Sequence, residues 1–430
     1  MQIQPHYAAI DAMIERVRRR FEGEDDYIAE VFASCLQNTL QTTIHFGDDG
    51  RIFVATGDIP AMWLRDSTAQ LVPFLRFAAE EPDIREILLR LNRRQMELIR
   101  LDPYANAFNM GAEGSPWQGD GTDMRPELWE RKFEIDSLSY PLHLSWLMWK
   151  RAGIDEHLDE GWRQTVRRII DTLRTEQDHE NRSPYRFRRE NCPFTDTLSR
   201  DGRGALVRSG IGLVWTGFRP SDDACVYGYN IPENMFASVA LGCAAQIARE
   251  RFGDEALAAE AESFSAQIRE AVLRHGVLPG VIPGVEEPFF AYEVDGFGQY
   301  LVMDDGNIPS LLSMPLLGWC GIDDPLYRNT RRVVLSRHNP YYYEGKCLKG
   351  VGSPHTPPNY VWDLALAVEG LTAADPRQKL ELIRTMAHND AGTRLMHEGI
   401  HVDDPARFTR PWFSWANSMY CELVMDYCGC

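Results

Sequence analysis

The segment Gly57–Leu75, GDIPAMWLRDSTAQLVPFL, decides how the chain is interpreted. Its first four residues are typical of a turn, and the apolar residues after Ser67 recur at the spacing of one helix face. We expect the helix to begin at Ser67, with Ser67 or Thr68 as its N-cap. A polar loop that leads directly into an apolar helix is the pattern that the rest of the chain repeats.

Trp63, Arg65 and Asp66 form a cluster at the start of this helix. An arginine beside an aspartate at a helix start is often a structural ion pair. The same two groups next to an indole also suit a sugar subsite, since charged groups bind hydroxyls and the ring stacks on the C–H face of a sugar. Loops of similar composition recur along the chain, and they favour the second interpretation.

Composition and charge argue against several classes of partner. The chain has 430 residues, is 44% hydrophobic and 25% charged, and carries a formal net charge of −18, so nucleic acid and anionic membrane surfaces are not expected to bind. No apolar run approaches the roughly 18 residues of a membrane span. The N-terminal residues read as an amphipathic helix rather than a secretion signal, and the nine cysteines are scattered. We therefore expect free thiols and a cytoplasmic protein.

Helical patterns dominate, and a short hairpin is expected over His45–Ala55. About six times, a charged amphipathic helix is followed by a loop rich in acidic and aromatic residues and then by an apolar helix. Outer polar helices around inner apolar ones predict an all-α, (α/α)6 toroid with short β-hairpins in its loops, formed by residues 1–430 as a single catalytic domain. Two stacked helical domains are the alternative. The expected inner helices are Ser67–Ala79, the helix that follows Ser137 to about Arg151, Met235–Ala248, Ile308–Trp319, Leu364–Leu371 and the helix that follows Asn417 to about Tyr427.

Carboxylates concentrate in three of these loops, at Asp66, at Asp222–Asp223 and at Glu398. Acetal hydrolysis needs two carboxyl groups, one protonated to release the leaving oxygen and one ionised. Adjacent acids on an extended loop point in different directions, so one of Asp222 and Asp223 would face a site while the other caps a helix or binds a hydroxyl. Paired aspartates are also common in solvated turns, and the residues themselves leave both interpretations open.

His355 and His397 lie in loops of the same kind. They are expected either to bind substrate hydroxyls or to form their hydrogen bonds within their own loops. The sequence His397-Glu398-Gly-Ile-His401 lacks the further ligand spacing of a known metal site, and no C-x-x-C or H-E-x-x-H motif occurs. We therefore expect neither a metal nor a cofactor.

Five long motifs together resemble glycoside hydrolase family 125. They are IPAMWLRDSTAQLVPFL, KFEIDSL, GFRPSDDACVYGYNIPENMF, PPNYVWDLALAVEGL and LMHEGIHVDDPARFTRPWFSWANSMYCEL. The similarity runs from about Phe32 to Asp426. The resemblance implies a metal-independent exo-α-1,6-mannosidase with an (α/α)6 fold and an inverting mechanism. It also implies that the general acid is Asp222 or Asp223, that Glu398 is the general base, and that Arg65 and Asp66 hold the terminal mannose.

The expected ligand is a mannose-containing oligosaccharide, and the loops Trp129–Asp136 and Asn359–Trp362 are expected to help close the pocket around its terminal sugar. The expected substrate-binding residues are Trp63, Arg65, Asp66, Glu134, Asp136, Arg219, His355, Asn359, Trp362 and His397. Three other functions remain open: a sugar epimerase, which would rely on histidines, a glycoside phosphorylase, which would need a phosphate site, and a carbohydrate-binding protein lacking one carboxylate.

Overall fold

The structure is a computed structural model that describes residues 3–4, 6–47 and 49–430. Helices dominate these residues, together with two 3-10 helices at Val72–Phe77 and Phe194–Asp196. The α-helices are α1 Ala8–Phe21, α2 Asp26–Thr43, α3 Leu64–Leu71, α4 Pro82–Leu101, α5 Ile135–Ala152, α6 Glu160–Glu176, α7 His179–Arg182, α8 Ser199–Gly202, α9 Ile231–Phe252, α10 Glu255–His275, α11 Pro325–Val334, α12 Asp363–Leu371, α13 Pro376–His388 and α14 Ser414–Tyr427.

The strands are two or three residues long and lie in the loops between helices. They are β1 Ile44–Phe46, β2 Ile52–Val54, β3 Met62–Trp63, β4 Ala107–Phe108, β5 Leu128–Glu130, β6 Tyr229–Asn230, β7 Val277–Leu278, β8 Phe289–Phe290, β9 Glu293–Val294, β10 Tyr300–Leu301, β11 Tyr342–Glu344, β12 Lys349–Val351, β13 Tyr360–Trp362, β14 Gly399–His401 and β15 Phe408–Thr409. The strands β1 and β2 pair antiparallel, with His45 opposite Phe53, so the hairpin expected over His45–Ala55 is confirmed.

The apolar helices pack on one another in the interior. Helix α3 contacts α5, α5 contacts α9, α12 contacts α14, and α14 contacts α3. Charged helices cover them: α2 packs on α14, α4 on α5, α10 on α9 and α13 on α12. Since each covering helix is amphipathic and each inner helix is largely buried, the alternation of charged and apolar segments in the sequence corresponds to outer and inner positions.

Helix α3 begins at Leu64, three residues earlier than predicted. Trp63 pairs with Ala107 as part of a short antiparallel sheet, and the chain turns directly from that strand into the helix. The predicted N-cap was wrong, because the Ser67 hydroxyl donates to the carbonyl of Leu64 (3.3 Å) within the helix. The consequence is functional: Arg65 lies in the first turn of a helix that is buried along its whole length.

The interior segment Ile308–Trp319 consists of turns, so the helix predicted there was wrong. Pro309 and Pro315 cannot donate backbone hydrogen bonds. The carboxylate of Asp304 instead accepts from the backbone N–H groups of Leu311 and Leu312, both at 2.9 Å. The segment nevertheless lies against the inner helices, where Tyr140 of α5 donates its hydroxyl to the carbonyl of Ile308 (3.1 Å).

Candidate active site

A cavity of about 390 Å³ lies beside the N-terminal ends of α3, α12 and α14. The residues that line it come from widely separated loops, as expected if the loops meet at one end of the inner helices. They are Thr56, Ile59, Trp63, Arg65, Asp66, Ser221, Asp222, Asn307, His355, Trp362, Glu398, Arg410, Phe413 and Trp415.

The structure brings seven of the residues predicted from the sequence together in this wall: Trp63, Arg65, Asp66, Asp222, His355, Trp362 and Glu398. Three of them lie at the starts of inner helices. Trp63 and Trp362 immediately precede α3 and α12, and Arg65 is in the first turn of α3. Short strands connect these helix starts with other loops of the site. The strand β13 ends at Trp362 and pairs with β14, which begins directly after Glu398.

Arg65 is the centre of a buried group of carboxyls. Its Nη1 donates to Glu134 Oε2 (2.6 Å) and to Asp136 Oδ2 (3.2 Å). Its Nη2 donates to Asp222 Oδ1 (3.1 Å), and its Nε lies 3.3 Å from Asp66 Oδ2. One guanidinium therefore serves four carboxyl groups, and only 3% of its side chain is exposed. Such a group is stable only if some of the acids keep a proton.

Burial is the dominant effect on these acids. It raises the pKa of Asp66 to about 6 and that of Asp136 to about 6, against the attraction of Arg65. Burial also raises the pKa of Glu134 well above its ordinary value, again with Arg65 opposing. Glu134 and Asp136 do not line the cavity. They lie behind Arg65, with none of either side chain exposed, and position its guanidinium.

Asp222 is the acid of the Asp222–Asp223 pair that faces the cavity. Its Oδ1 accepts from Trp63 Nε1 (3.3 Å) and Asn106 Nδ2 (3.4 Å) as well as from Arg65. Although burial opposes ionisation, Arg65 and the hydrogen bond with Glu134 hold the pKa of Asp222 below its ordinary value. The backbone at Asp222 has φ +67°, a left-handed conformation that Lys132 supports by donating Nζ to its carbonyl (2.8 Å).

Asp223 does not line the cavity and is bound to His355 instead. Its Oδ1 lies 2.9 Å from His355 Nδ1, and 5% of its side chain is exposed compared with 37% for His355. Burial lowers the pKa of His355, but the bond to Asp223 more than offsets this and raises the pKa to about 9. His355 is therefore a cation at neutral pH, and Asp223 acts on the cavity through it.

Glu398 lies in the wall of the same cavity as Asp222, with 12% of its side chain exposed. Its Oε2 accepts from Thr409 Oγ1 (3.0 Å), and its Oε1 lies 3.7 Å from Arg410 Nη1. Arg410 is itself fixed, because Nε donates to Asp58 Oδ1 (2.7 Å) and Nη2 to the Thr56 carbonyl (2.7 Å). The Glu398 carboxyl is thus oriented by a hydroxyl and has a cationic neighbour.

Three other predicted residues lie outside the cavity wall. Arg219 is buried and donates Nε to Glu293 Oε1 (2.5 Å). Asn359 has φ +70°, and its carbonyl accepts from the backbone N–H of Val402 (2.9 Å). His397 is buried, stacks on Phe408 at 3.9 Å and has Nδ1 2.9 Å from the Arg410 carbonyl. These three residues lie in the segments that lead to Asp222, Trp362 and Glu398 rather than in the cavity wall.

Sequence reasoning missed half of the wall: Thr56, Ile59, Ser221, Asn307, Arg410, Phe413 and Trp415. Phe413 and Trp415 flank the start of α14, as Trp63 precedes the start of α3. The recurrence of aromatic residues at helix starts is the sequence signal that could have identified them. Asn106 precedes Ala107, the residue that pairs with Trp63, and its amide donates a hydrogen bond to Asp222. Nothing in the sequence marks Asn106 as a site residue. Among residues 3–4, 6–47 and 49–430, no cluster of three or more histidine, cysteine or acidic side chains could hold a metal ion.

Comparison with known proteins decides the family. The model of the metal-independent α-mannosidase family, glycoside hydrolase family 125, matches residues 25–425. This chain belongs to glycoside hydrolase family 125. The resemblance inferred from the five motifs is therefore confirmed, and so is the expectation that the protein is a glycosidase acting on α-mannosides.

Relatives of this family 125 chain cover nearly its whole length. It is 37% identical to the meiotically up-regulated gene 157 protein of Schizosaccharomyces pombe, over 98% of this chain and 86% of that protein. A Streptococcus pneumoniae metal-independent α-mannosidase, solved in a non-productive complex with α-1,6-mannobiose, is 42% identical, with a TM-score of 0.94 over 99% of this chain and 100% of that one.

A bacterial glucoamylase complexed with acarbose shares the fold with this family 125 chain. The two are 13% identical, with a TM-score of 0.58 over 94% of this chain and 55% of that one. At this identity the likeness concerns only the fold. Within the described part of this chain, no helix is both long and apolar enough to cross a membrane.

Proposed function

We propose that this protein is an exo-acting, inverting glycoside hydrolase that releases terminal α-1,6-linked mannose from oligosaccharides. The observation that carries the proposal is that Asp222 and Glu398, from loops far apart in the sequence, line one cavity in a family of α-mannosidases. The pneumococcal relative that binds α-1,6-mannobiose supports this linkage, because it matches the chain over nearly its whole length.

We assign the general acid to Asp222. Its carboxyl group lines the cavity, whereas that of Asp223 is bound to His355 and nearly buried. A general acid has to reach the glycosidic oxygen, so a carboxyl that faces the cavity is required. Asp223 then acts indirectly, by keeping His355 charged at the cavity wall.

We assign the general base to Glu398. In the mechanism, Asp222 gives its proton to the oxygen that leaves toward the 6-position of the next sugar, while Glu398 takes a proton from a water that attacks C1 from the opposite face. Inversion requires the two carboxyl groups to lie roughly 6.5–9.5 Å apart, which leaves room for that water. The Thr409 hydroxyl orients Glu398 by bonding to Oε2 and leaves Oε1 for the water.

The terminal mannose would be held by the aromatic and charged parts of the wall. Trp63, Trp362 and Trp415 offer ring faces and edges to the sugar carbons, and Asp66 and Arg410 offer partners for hydroxyl groups. No cofactor is required for this chemistry.

The arrangement of helices supports an (α/α)6 toroid built as a single domain over residues 1–430. Taken in chain order, outer and inner positions alternate as six pairs: α2 and α3, α4 and α5, α6 and α9, α10 and the turn segment 308–319, α11 and α12, and α13 and α14. The contact of α14 with α3 joins the last inner helix to the first. The cavity at the inner-helix N-termini is where such a ring brings its loops together.

A cytoplasmic location also belongs to the proposal, and it is supported by cysteine chemistry. All nine cysteines are free thiols, as is typical of a reducing compartment. In that case the substrate reaches the enzyme as small mannose-containing oligosaccharides.

The residues that line the cavity favour hydrolysis over an epimerase or a phosphorylase reaction. An epimerase that relies on histidines would need two of them at the cavity. His355 lines it, but His397 is buried with Nδ1 against the Arg410 carbonyl, so this function is not supported. A phosphorylase needs a free cationic site for phosphate, whereas Arg65 and Arg410 are bound to carboxyl groups.

The experiment that tests the proposal is hydrolysis of α-1,6-, α-1,3- and α-1,2-mannobiose, each with and without phosphate and EDTA. We expect mannose from the α-1,6 disaccharide at a rate that neither addition changes, and little from the other two. Release that depends on phosphate, or a preference for another linkage, would overturn the proposal.

A further inference from the structure

We infer that Glu134 stores the proton that Asp222 delivers to the leaving oxygen, and that it is therefore a positioning residue for the general acid. The inference rests on the proposed function, because it takes Asp222 as the acid. It addresses a problem that the cavity presents: the group that has to donate a proton is surrounded by hydrogen-bond donors.

Those donors favour the ionised form of Asp222. Arg65 Nη2, Trp63 Nε1 and Asn106 Nδ2 all direct N–H groups at the same oxygen, Oδ1, at 3.1, 3.3 and 3.4 Å. Hydrogen bonds to a carboxylate stabilise its charged form. A general acid has to carry a proton when the substrate is bound, so the proton has to come from a neighbouring group.

Glu134 is the neighbour placed to supply it. Its Oε1 and the Oδ1 of Asp222 both accept from the amide of Asn106, at 3.3 and 3.4 Å, so a single donor atom brings the two carboxyl groups together. Its Oε2 accepts from Arg65 Nη1 (2.6 Å) and from the hydroxyl of Ser137 (3.1 Å). The side chain has no exposure to solvent, so a proton held there is separated from bulk water.

The charge of the cluster requires a retained proton. Asp66, Glu134, Asp136 and Asp222 share one guanidinium, so full ionisation would leave three negative charges in a buried space that Arg65 does not balance. Burial raises the pKa of Glu134 well above its ordinary value, so the retained proton is assigned to Glu134 when the cavity is empty. The other charged or titratable groups around Asp222 and Glu134 are Glu130, Lys132, Asp223, Glu233, His355, Glu398 and Arg410.

The proton transfer balances as follows. As the glycosidic oxygen takes the place of solvent beside Asp222, the Glu134 carboxylic acid gives its proton to the Asp222 carboxylate and becomes a carboxylate paired with Arg65. Asp222 passes that proton to the oxygen as the C1–O bond breaks. The attacking water gives one proton to Glu398, which releases it to solvent when the products leave. Asp222, whose side chain is 22% exposed, then takes a proton from solvent and passes it back to Glu134.

The test compares two substrates that differ in their need for a proton. The natural leaving group of α-1,6-mannobiose needs protonation, whereas 2,4-dinitrophenol leaves as a stable anion. We expect Glu134→Gln, which keeps the shape and hydrogen bonds of the protonated acid, to lower kcat on the disaccharide by about 100-fold or more. Hydrolysis of 2,4-dinitrophenyl α-mannoside by the same variant should change little.

Asp136→Asn is the matched control, because Asp136 binds the same Nη1 of Arg65 but makes no contact with Asn106. It should lower the rates on both substrates to a similar extent. Asp222→Asn should reproduce the selective loss of Glu134→Gln. If Asp222→Asn is selective and Glu134→Gln is not, the stored proton is refuted while the proposed acid stands, whereas an unselective Asp222→Asn refutes the acid itself.

Ser137→Ala decides the question if Glu134→Gln does not fold. It removes a donor to Oε2, which makes the Glu134 carboxylate harder to form after proton release. A several-fold loss of kcat confined to the disaccharide supports the inference, and an equal effect on both substrates, or none, overturns it.

Discussion

Arg65 Nη2 lies 3.1 Å from Asp222 Oδ1, although the two residues are 157 positions apart in the sequence. Arg65 is fixed in the first turn of a buried helix and Asp222 in a loop with left-handed backbone. The contact therefore orients the proposed general acid from a helix that is buried along its whole length.

The two aspartates of the pair should behave differently. Asp222→Asn should lower kcat on α-1,6-mannobiose by about 10²–10⁴-fold, the usual contribution of a general acid. Asp223→Asn should lower it less, because Asp223 acts through the charge of His355. Steady-state kinetics of both variants at pH 6 provide the comparison, and a larger loss in Asp223→Asn would assign the acid to the other residue.

Glu398→Gln should abolish turnover while leaving sugar binding largely intact. The amide keeps the hydrogen bond from Thr409 but cannot accept a proton from water. Added azide, which needs no base, should restore cleavage and give a glycosyl azide of inverted configuration. Calorimetric titration with α-1,6-mannobiose checks the binding, and retained hydrolysis without azide would show that the base is elsewhere.

Replacing Arg65 should affect stability and activity to different degrees. Arg65→Met leaves four buried carboxyls without their counter-ion and should lower the free energy of unfolding by about 3–5 kcal/mol. Arg65→Lys keeps the charge, so it should be more stable than Arg65→Met. A single ammonium cannot bind Glu134 and Asp222 in two directions, so its kcat should still fall strongly. Urea unfolding and kinetics measure the two effects, and an Arg65→Met variant as stable as the wild type would contradict the charge cluster.

The stability of the fold should depend on pH at Asp363. Burial raises the pKa of this carboxyl from 3.8 to about 7, although the backbone N–H of His397 donates to it. Because the folded pKa is the higher one, the contribution of Asp363 to stability is complete below about pH 4 and is lost as the pH rises through 7. Asp363→Asn should therefore gain melting temperature relative to the wild type between pH 5 and pH 8.

Thermal melts at those two pH values measure this difference, and Asp375→Asn is the control. Asp375 is an exposed acid whose pKa is lowered by Arg377, so its removal should give a difference that stays constant over the same range. A pH-independent difference for Asp363→Asn would show that this carboxyl is ionised in the folded protein.

The sequence predicted the alternation of helices and the loops that meet at the cavity, because apolar periodicity directly reports burial. It predicted the start of α3 incorrectly, because a strand pairing between Trp63 and Ala107, 44 residues apart, decides where that helix begins. The same limit applies to Ile308–Trp319. This apolar run is buried as a series of turns, and the carboxylate of Asp304 stabilises them by accepting from the backbone N–H of Leu311.

Site residues were predictable where a chemical type recurs at a helix start, as for Arg65, Asp66 and Trp362. They were not predictable where a residue acts through a distant partner. Nothing in the sequence around Asn106 connects it with Asp222, and nothing around Arg219 shows that its guanidinium is taken up by Glu293. The choice between Asp222 and Asp223 likewise depends on which carboxyl lines the cavity and which is bound to His355, and a local pattern does not reveal this.

The central claim is that a water activated by Glu398 attacks C1 opposite to the oxygen that Asp222 protonates. Proton NMR of α-1,6-mannobiose, recorded in the first minutes after enzyme is added and before mutarotation, measures the configuration of the released mannose. We predict that β-mannose appears first and then equilibrates. Initial release of α-mannose would mean that configuration is retained and would contradict the account.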